Sequence, residues 1–135
     1  MTAGRTITLT LALEQGIAAF EPGARVRGVA SWSAVVKPSG MELRLVRETR
    51  GPGGRDFKIA ETVPLPEPLA AVDRRPFAID LPNGPFSFQG GLISLVWTLQ
   101  LVALPGQETT SASIVVAPDA RALELTLERP SASAR

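Results

Sequence analysis

The residues best equipped for chemistry in this sequence are basic side chains gathered about one glycine-rich turn. Arg44, Arg47, Arg50, Arg55 and Lys58 flank Gly51-Pro52-Gly53-Gly54 and are interleaved with Glu42, Glu48 and Asp56. An arginine fork matches the paired oxygens of a carboxylate or phosphate. Arg44, Arg50, Arg55 and Lys58 are therefore the candidate protein-binding residues, a recognition surface for an acidic peptide or a phosphate group. The simpler reading is a solvated hairpin whose charges pair across its two strands. The glycine run itself does not read as a phosphate cradle, because no Gly-Lys-Ser or Gly-Lys-Thr follows it and no helical pattern begins there. A plain chain reversal suffices.

Other chemistry is narrowed by composition. The 135 residues include no Cys, no His and no Tyr, which removes disulfides, thiol nucleophiles, thiolate or imidazole metal sites and the usual general base near neutral pH. The carboxylates are scattered, with no Asp-x-Asp cluster suited to calcium. Trp32, Trp97 and the five Phe residues have the chemistry of a stacking platform, but both Trp and most Phe alternate with polar residues in a way that assigns them to a core. No catalytic residue, metal or cofactor is expected. With 14 basic against 13 acidic residues, no single-sign field invites nucleic acid.

The elements that must position these residues are strands. Ile7, Leu9, Leu11 and Leu13 alternate with Thr8, Thr10 and Ala12, which puts the aliphatics on one side of a pleated strand. After Glu21-Pro22-Gly23 the alternation resumes with Val26, Gly28, Ala30 and Trp32. Lys37-Pro38-Ser39-Gly40 breaks it, and a third strand runs from Met41 to Arg50. The Gly51–Gly54 turn then returns the chain along Asp56–Val63 as a hairpin. Pro64, Pro66 and Pro68 withhold amide donors at alternate positions, so residues 64–76 form a connection or an edge. Phe77, Ile79 and Leu81 precede another turn. A long strand from Leu92 to Leu104 puts Ile93, Leu95, Trp97, Leu99 and Leu101 on one face and Leu92, Val96 and Val102 among polar residues on the other. Thr109–Ala117 and Ala122–Glu128, the latter with Leu123, Leu125 and Leu127 inward, bring the count to eight. The best helical candidate, Leu13–Ala19, holds no apolar stripe beyond two turns. Short strands at intervals of about 10 residues, divided by Gly and Pro turns, predict an all-β, immunoglobulin-like antiparallel sandwich of seven or eight strands. It forms one domain over residues 1–129, with 130–135 as a flexible tail.

Two segments resemble the arrestin family. Phe20-Glu21-Pro22-Gly23-Ala24-Arg25-Val26-Arg27-Gly28 is similar to that family's aromatic and Pro-Gly turn leading into a strand. Phe77-Ala78-Ile79-Asp80-Leu81-Pro82, followed by Pro85-Phe86-Ser87-Phe88-Gln89-Gly90 and the strand through Trp97, resembles its Leu-Pro and Pro-x-Ser-aromatic-x-Gly signature. The resemblance covers about a third of the chain. It implies a non-enzymatic, arrestin-like sandwich that acts as an adaptor. The length leaves room for one sandwich where eukaryotic arrestins have two, so no phosphate-sensing residue carries over. The glycines also have their own reading: Gly23 and Gly90 supply turn conformations, and Gly28 makes room for a facing side chain such as Trp32 or Trp97.

The expected role is a protein-binding adaptor or scaffold with a protein partner that the residues do not identify. A structural subunit of a larger assembly, such as a secretion, sporulation or phage-related particle, is the alternative. The polar stretch Glu108–Ser113 suits a quiet sheet edge or a docking edge. The mixed face with Leu92, Val96 and Val102 is expected to pair two copies as a homodimer. The N-terminus has no uninterrupted apolar stretch of signal-peptide type, and Leu92–Leu104 falls short of a membrane span. A cytoplasmic home without membrane insertion is expected. Only Lys37 and Lys58 are lysine among the basic residues, which with abundant Ala, Gly and Pro hints at a GC-rich bacterial genome.

Overall fold

In the computed structural model, residues 7–90, 93–118 and 123–125 are described. They form ten strands: β1 (Ile7–Leu13), β2 (Ala19–Phe20), β3 (Arg25–Ala34), β4 (Gly40–Gly51), β5 (Gly54–Pro64), β6 (Val72–Asp80), β7 (Phe88–Gly90), β8 (Ser94–Leu104), β9 (Glu108–Val116) and β10 (Leu123–Leu125). The fold is the all-β, arrestin-like sandwich that the alternation and the resemblance imply. Two of the ten strands were not expected: β2, two residues long, and β7, three residues long, are too short to show a period. Of the expected strand Ala122–Glu128, Leu123–Leu125 pairs in parallel with β7. Its other residues, including Leu127, lie outside the described residues, as does the tail 130–135. In place of a helix at Leu13–Ala19 there is one 3-10 turn, Glu14–Gly16, in which Gln15 has φ 56°.

The small sheet has the order β1-β3-β6, antiparallel throughout. In the large sheet β5 lies beside β4 and β4 beside β8. The far side of β8 is shared, with β7 opposite Ser94–Leu95 and β9 opposite Trp97–Ala103. One face of each sheet supplies the core. Ile7 and Leu9 from β1, Val26, Ala30 and Trp32 from β3, and Phe77 and Ile79 from β6 meet Met41, Leu43, Leu45, Leu95, Trp97, Leu99 and Leu101. Each set recurs at every second position, as a face of a pleated strand must. β6 starts five residues earlier than the apolar pattern suggested. It accommodates Pro76 because it is an edge strand, whose outward amides need no partner.

Gly28 owes its place to a different neighbour from the expected tryptophans. It is the register partner of Phe77, and a Cβ there would come within 2.7 Å of the Phe77 Cζ and closer still to the Ala12 carbonyl oxygen. Both tryptophans instead tie down connections. Trp32 Nε1 donates to the Ala70 carbonyl at 2.8 Å, and Trp97 Nε1 donates to the Pro85 carbonyl at 2.8 Å. Those carbonyls sit in the two segments that carry the chain from β5 across to β6 and from β6 back to β7. Each crossing is thus held by an indole of the sheet it arrives at.

The arrestin-like segments dock on one another. Gly23, at φ +78°, donates its amide to the Pro82 carbonyl, and the Leu81 amide donates to Ala24. Arg25 grips Asp80 with Nε at 2.8 Å and Nη2 at 3.3 Å. Ser87, 4% exposed, accepts the Val116 amide on its hydroxyl at 2.9 Å while its own amide donates to the Val116 carbonyl. This serine therefore satisfies both backbone groups of a buried residue, which would be costly to leave unpaired. Gly90 ends β7 and donates its amide to the Ile93 carbonyl at 2.8 Å, just ahead of β8.

Candidate functional site

The β4–β5 hairpin turns at Gly51–Gly54, with Gly54 at φ +127°, a conformation that suits glycine. This turn fixes the pairing Arg50↔Arg55, Thr49↔Asp56, Glu48↔Phe57, Arg47↔Lys58 and Val46↔Ile59. Beyond it a β-bulge leaves Ala60 unpaired before Leu45↔Glu61. Alternation then assigns the faces. Met41, Leu43 and Leu45 point into the core, so Arg47 and Thr49, with Lys58 and Asp56 opposite them, lie on the same side as the core. Arg44, Glu48 and Arg50, with Arg55, Phe57 and Ile59, lie on the outer side.

The four candidate residues accordingly fall into three places. Arg50 and Arg55 come together on the outer face around one carboxylate. Arg50 Nη2 donates to Glu48 Oε1 at 3.0 Å, and Arg55 Nε lies 3.3 Å from Glu48 Oε2. The Glu48 side chain is only 7% exposed, against 51% and 63% for the two arginines. Its Oε2 accepts no hydrogen bond among the described residues, so that oxygen is held by charge alone. The hydrogen bond from Arg50 keeps the Glu48 carboxyl below its ordinary pKa, although its burial pulls the other way. Two cations on one anion leave one positive charge in excess in this outer-face cluster. Arg44 sits farther down the same face and bonds Glu42 through Nε at 3.0 Å. Lys58 is on the opposite face, directly across from Arg47, and neither forms an ion pair among the described residues.

What the sequence did not single out is Phe57. It is 62% exposed, one of the Phe residues that do not join the core; Ile59, two residues on, is 52% exposed. Every residue of β5 except Val63 is exposed, because β5 is the border of the large sheet and the partner sheet has only three strands to set against it. The hairpin tip and the half-exposed Ile93 border a shallow concavity of about 360 Å³. A larger one, of about 550 Å³, lies on the outside of the small sheet among Thr8, Thr10, Ser31, Ser33, Val72 and Arg74. Asp73 also lines it beside Arg74, but Asp73 is paired with Arg75 at 3.1 Å.

The face proposed for pairing through β8 needs correction. Val102 is fully buried and Val96 partly so, and Leu92 lies outside the described residues. That face therefore offers less apolar surface than its composition suggested. The stretch Glu108–Ser113 is an edge as expected, since β9 pairs on its far side only at Val115 and Val116, with β2. No helix among the described residues is long and apolar enough to cross a membrane.

With these features in view, the architecture defines the class: an arrestin-like, immunoglobulin-type sandwich. No protein-family model and no curated protein matches the chain. Among solved structures it is similar to Spo0M, the sporulation control protein of Bacillus subtilis, with a TM-score of 0.62 and 16% identity over 84% of this chain and 50% of that one. The chain thus spans half the length of the Spo0M chain it matches. A looser likeness, with a TM-score of 0.42 and 9% identity over 85% of this chain and 31% of the other, is to the Pseudomonas fluorescens alkylpurine DNA glycosylase AlkC bound to DNA containing an abasic site analog. It bears on neither fold nor function.

Proposed function

We propose that this chain is a non-enzymatic adaptor or scaffold domain that acts in the cytoplasm and holds a protein partner through the outer face of its β4–β5 hairpin. The observation that carries this reading is the exposed strand β5, which sets Phe57 and Ile59 beside the arginines that flank Glu48. Exposed aromatic and aliphatic side chains next to arginine have the composition of a protein-recognition centre. Arg50 is preorganised by Glu48, so little side-chain freedom is lost when a partner's carboxylate or phosphate is met. Arg44, saturated by Glu42, extends the same face; Lys58 faces away and serves a partner only if that partner wraps the hairpin edge. The similarity to a sporulation control protein accords with a regulatory role without catalysis.

The test is quantitative affinity purification of the full chain from its native lysate, compared with Arg50→Glu/Arg55→Glu and with Phe57→Ser. Specific partners are expected to fall about tenfold or more in both variants, the loss typical of a central contact residue. An unchanged partner profile in both removes the hairpin from the binding surface.

A further inference from the structure

We infer that β5 is also a self-association edge, on which two copies of this chain pair their β5 strands antiparallel about a two-fold axis through Phe57. The free side of β5 presents unpaired backbone groups, since among the described residues it is bonded only to β4. The usable stretch is short and has clear limits. The turn at Gly54 ends it on one side and the bulge at Ala60 on the other, leaving Arg55–Ile59, whose midpoint is Phe57.

Elementary geometry then selects the register. In an antiparallel ladder, a residue whose amide and carbonyl point outward must meet another of the same kind. With two identical strands related by a two-fold axis, that places the axis on a residue and never between residues. Three positions keep most of the stretch paired. An axis on Asp56 sets two aspartates against each other, and one on Lys58 sets two lysines against each other, both unfavourable. An axis on Phe57 sets Asp56 of each copy against Lys58 of the other, twice, on the inner side. On the outer side it sets Phe57 against Phe57 and Arg55 against Ile59, so the long arginine stem covers an aliphatic. Charge complementarity thus singles out one register, and the exposed apolar side chains of this edge, Phe57 and Ile59, are the ones it covers. The other open edge of the large sheet, Glu108–Ser113, offers Thr109, Ser111 and Ser113 and no comparable apolar surface. Joining the copies in this way makes one continuous sheet of the two large sheets. The dimer covers Phe57, Ile59 and Arg55, which the adaptor reading also uses, but the charges that set its register, Asp56 and Lys58, lie on the opposite face from Arg50 and Glu48, so reversing them tests the dimer apart from that reading.

Sedimentation equilibrium of the full chain tests it. Five residue pairs put the association at the weak end of specific interfaces, with Kd of roughly 100 μM. Asp56→Lys and Lys58→Asp each turn two attractive pairs into two repulsive ones and are expected to weaken the dimer about tenfold or more. The double variant Asp56→Lys/Lys58→Asp restores the pairing with its sign reversed and is expected to regain the dimer. Both positions are exposed, and Lys58→Asp gives Arg47 an opposite charge across the hairpin, so loss of association is not loss of folding. Three results would overturn the inference: a monomer for the unaltered chain up to about 1 mM, a dimer indifferent to the single charge reversals, or a dimer lost in both single variants and not regained in the double variant.

Discussion

The seam made by the arrestin-like segments and the β4–β5 hairpin are built from the same alternating pattern, yet they use their polar groups in opposite ways. In the seam, Ser87, Trp97 and the backbone around Gly23 and Pro82 meet one another inside or beside the core, so every hydrogen bond is between two parts of the fold. In the hairpin, the polar groups lie on both faces of a border strand and its neighbour, and most of them end in solvent. A buried polar group is fixed because leaving it unpaired costs more than pairing it gains. An exposed one has water as an alternative, and so can exchange it for a partner. The family-like residues accordingly hold the sandwich together, and the recognition chemistry lies elsewhere.

The contrast breaks most sharply at Trp97. It is 1% exposed and its indole is bonded to Pro85; Trp97→Ala is expected to cost about 3–5 kcal/mol, read as a collapse of the urea midpoint. Next comes Ser87→Ala, which strips the Val116 amide of its acceptor in a buried site and is expected to cost about 1–3 kcal/mol by the same measurement. A smaller, pH-dependent effect belongs to the carboxylates. Glu48 is held low by Arg50, Asp80 by Arg25, and Asp73 by the amides of Ala70 and Arg74. A carboxyl whose folded pKa is depressed contributes stability that is complete above its unfolded value and is lost as pH falls through the folded one. The urea midpoint is therefore expected to hold near neutrality and to decline below about pH 4. Glu48→Gln is expected to make that decline shallower; a slope identical to that of the unaltered chain would show that the arginines at the tip do not bias this carboxyl. Smallest of all is Phe57→Ser, expected to change stability by no more than about 0.5 kcal/mol because its ring is largely solvated. A loss as large as that of Ser87→Ala would mean that Phe57 belongs to the core and the contrast fails.

Much of this was legible in advance, and the parts that were not share a cause. Alternation says which residues share a face, so Leu43, Leu45, Trp97 and Leu99 could be placed inside without coordinates. A two-residue turn fixes its register, so the approach of Arg50 to Arg55 followed from Gly51–Gly54. Alternation does not say which face of a strand the other sheet covers. Phe57 alternates with charged residues as a core residue does, but the hairpin register sets it opposite Glu48, on the face turned away from the small sheet. Nor does it say what lies across from a glycine: Gly28 faces Phe77 because β3 and β6 are neighbours, a pairing between segments some 50 residues apart. The bulge at Ala60 is likewise silent in composition. Without it Glu61 would pair with Arg44 and point to the same outer side as Ile59, instead of lying opposite Leu45.

The two indoles have one more consequence. The chain contains no tyrosine and only two tryptophans, and each donates to the carbonyl of a different sheet crossing. Its ultraviolet emission is thus a pair of built-in optical labels: with Trp32 or Trp97 replaced by Phe, the remaining fluorophore reports the wetting of a single crossover, Pro85 or Ala70, with no dye attached.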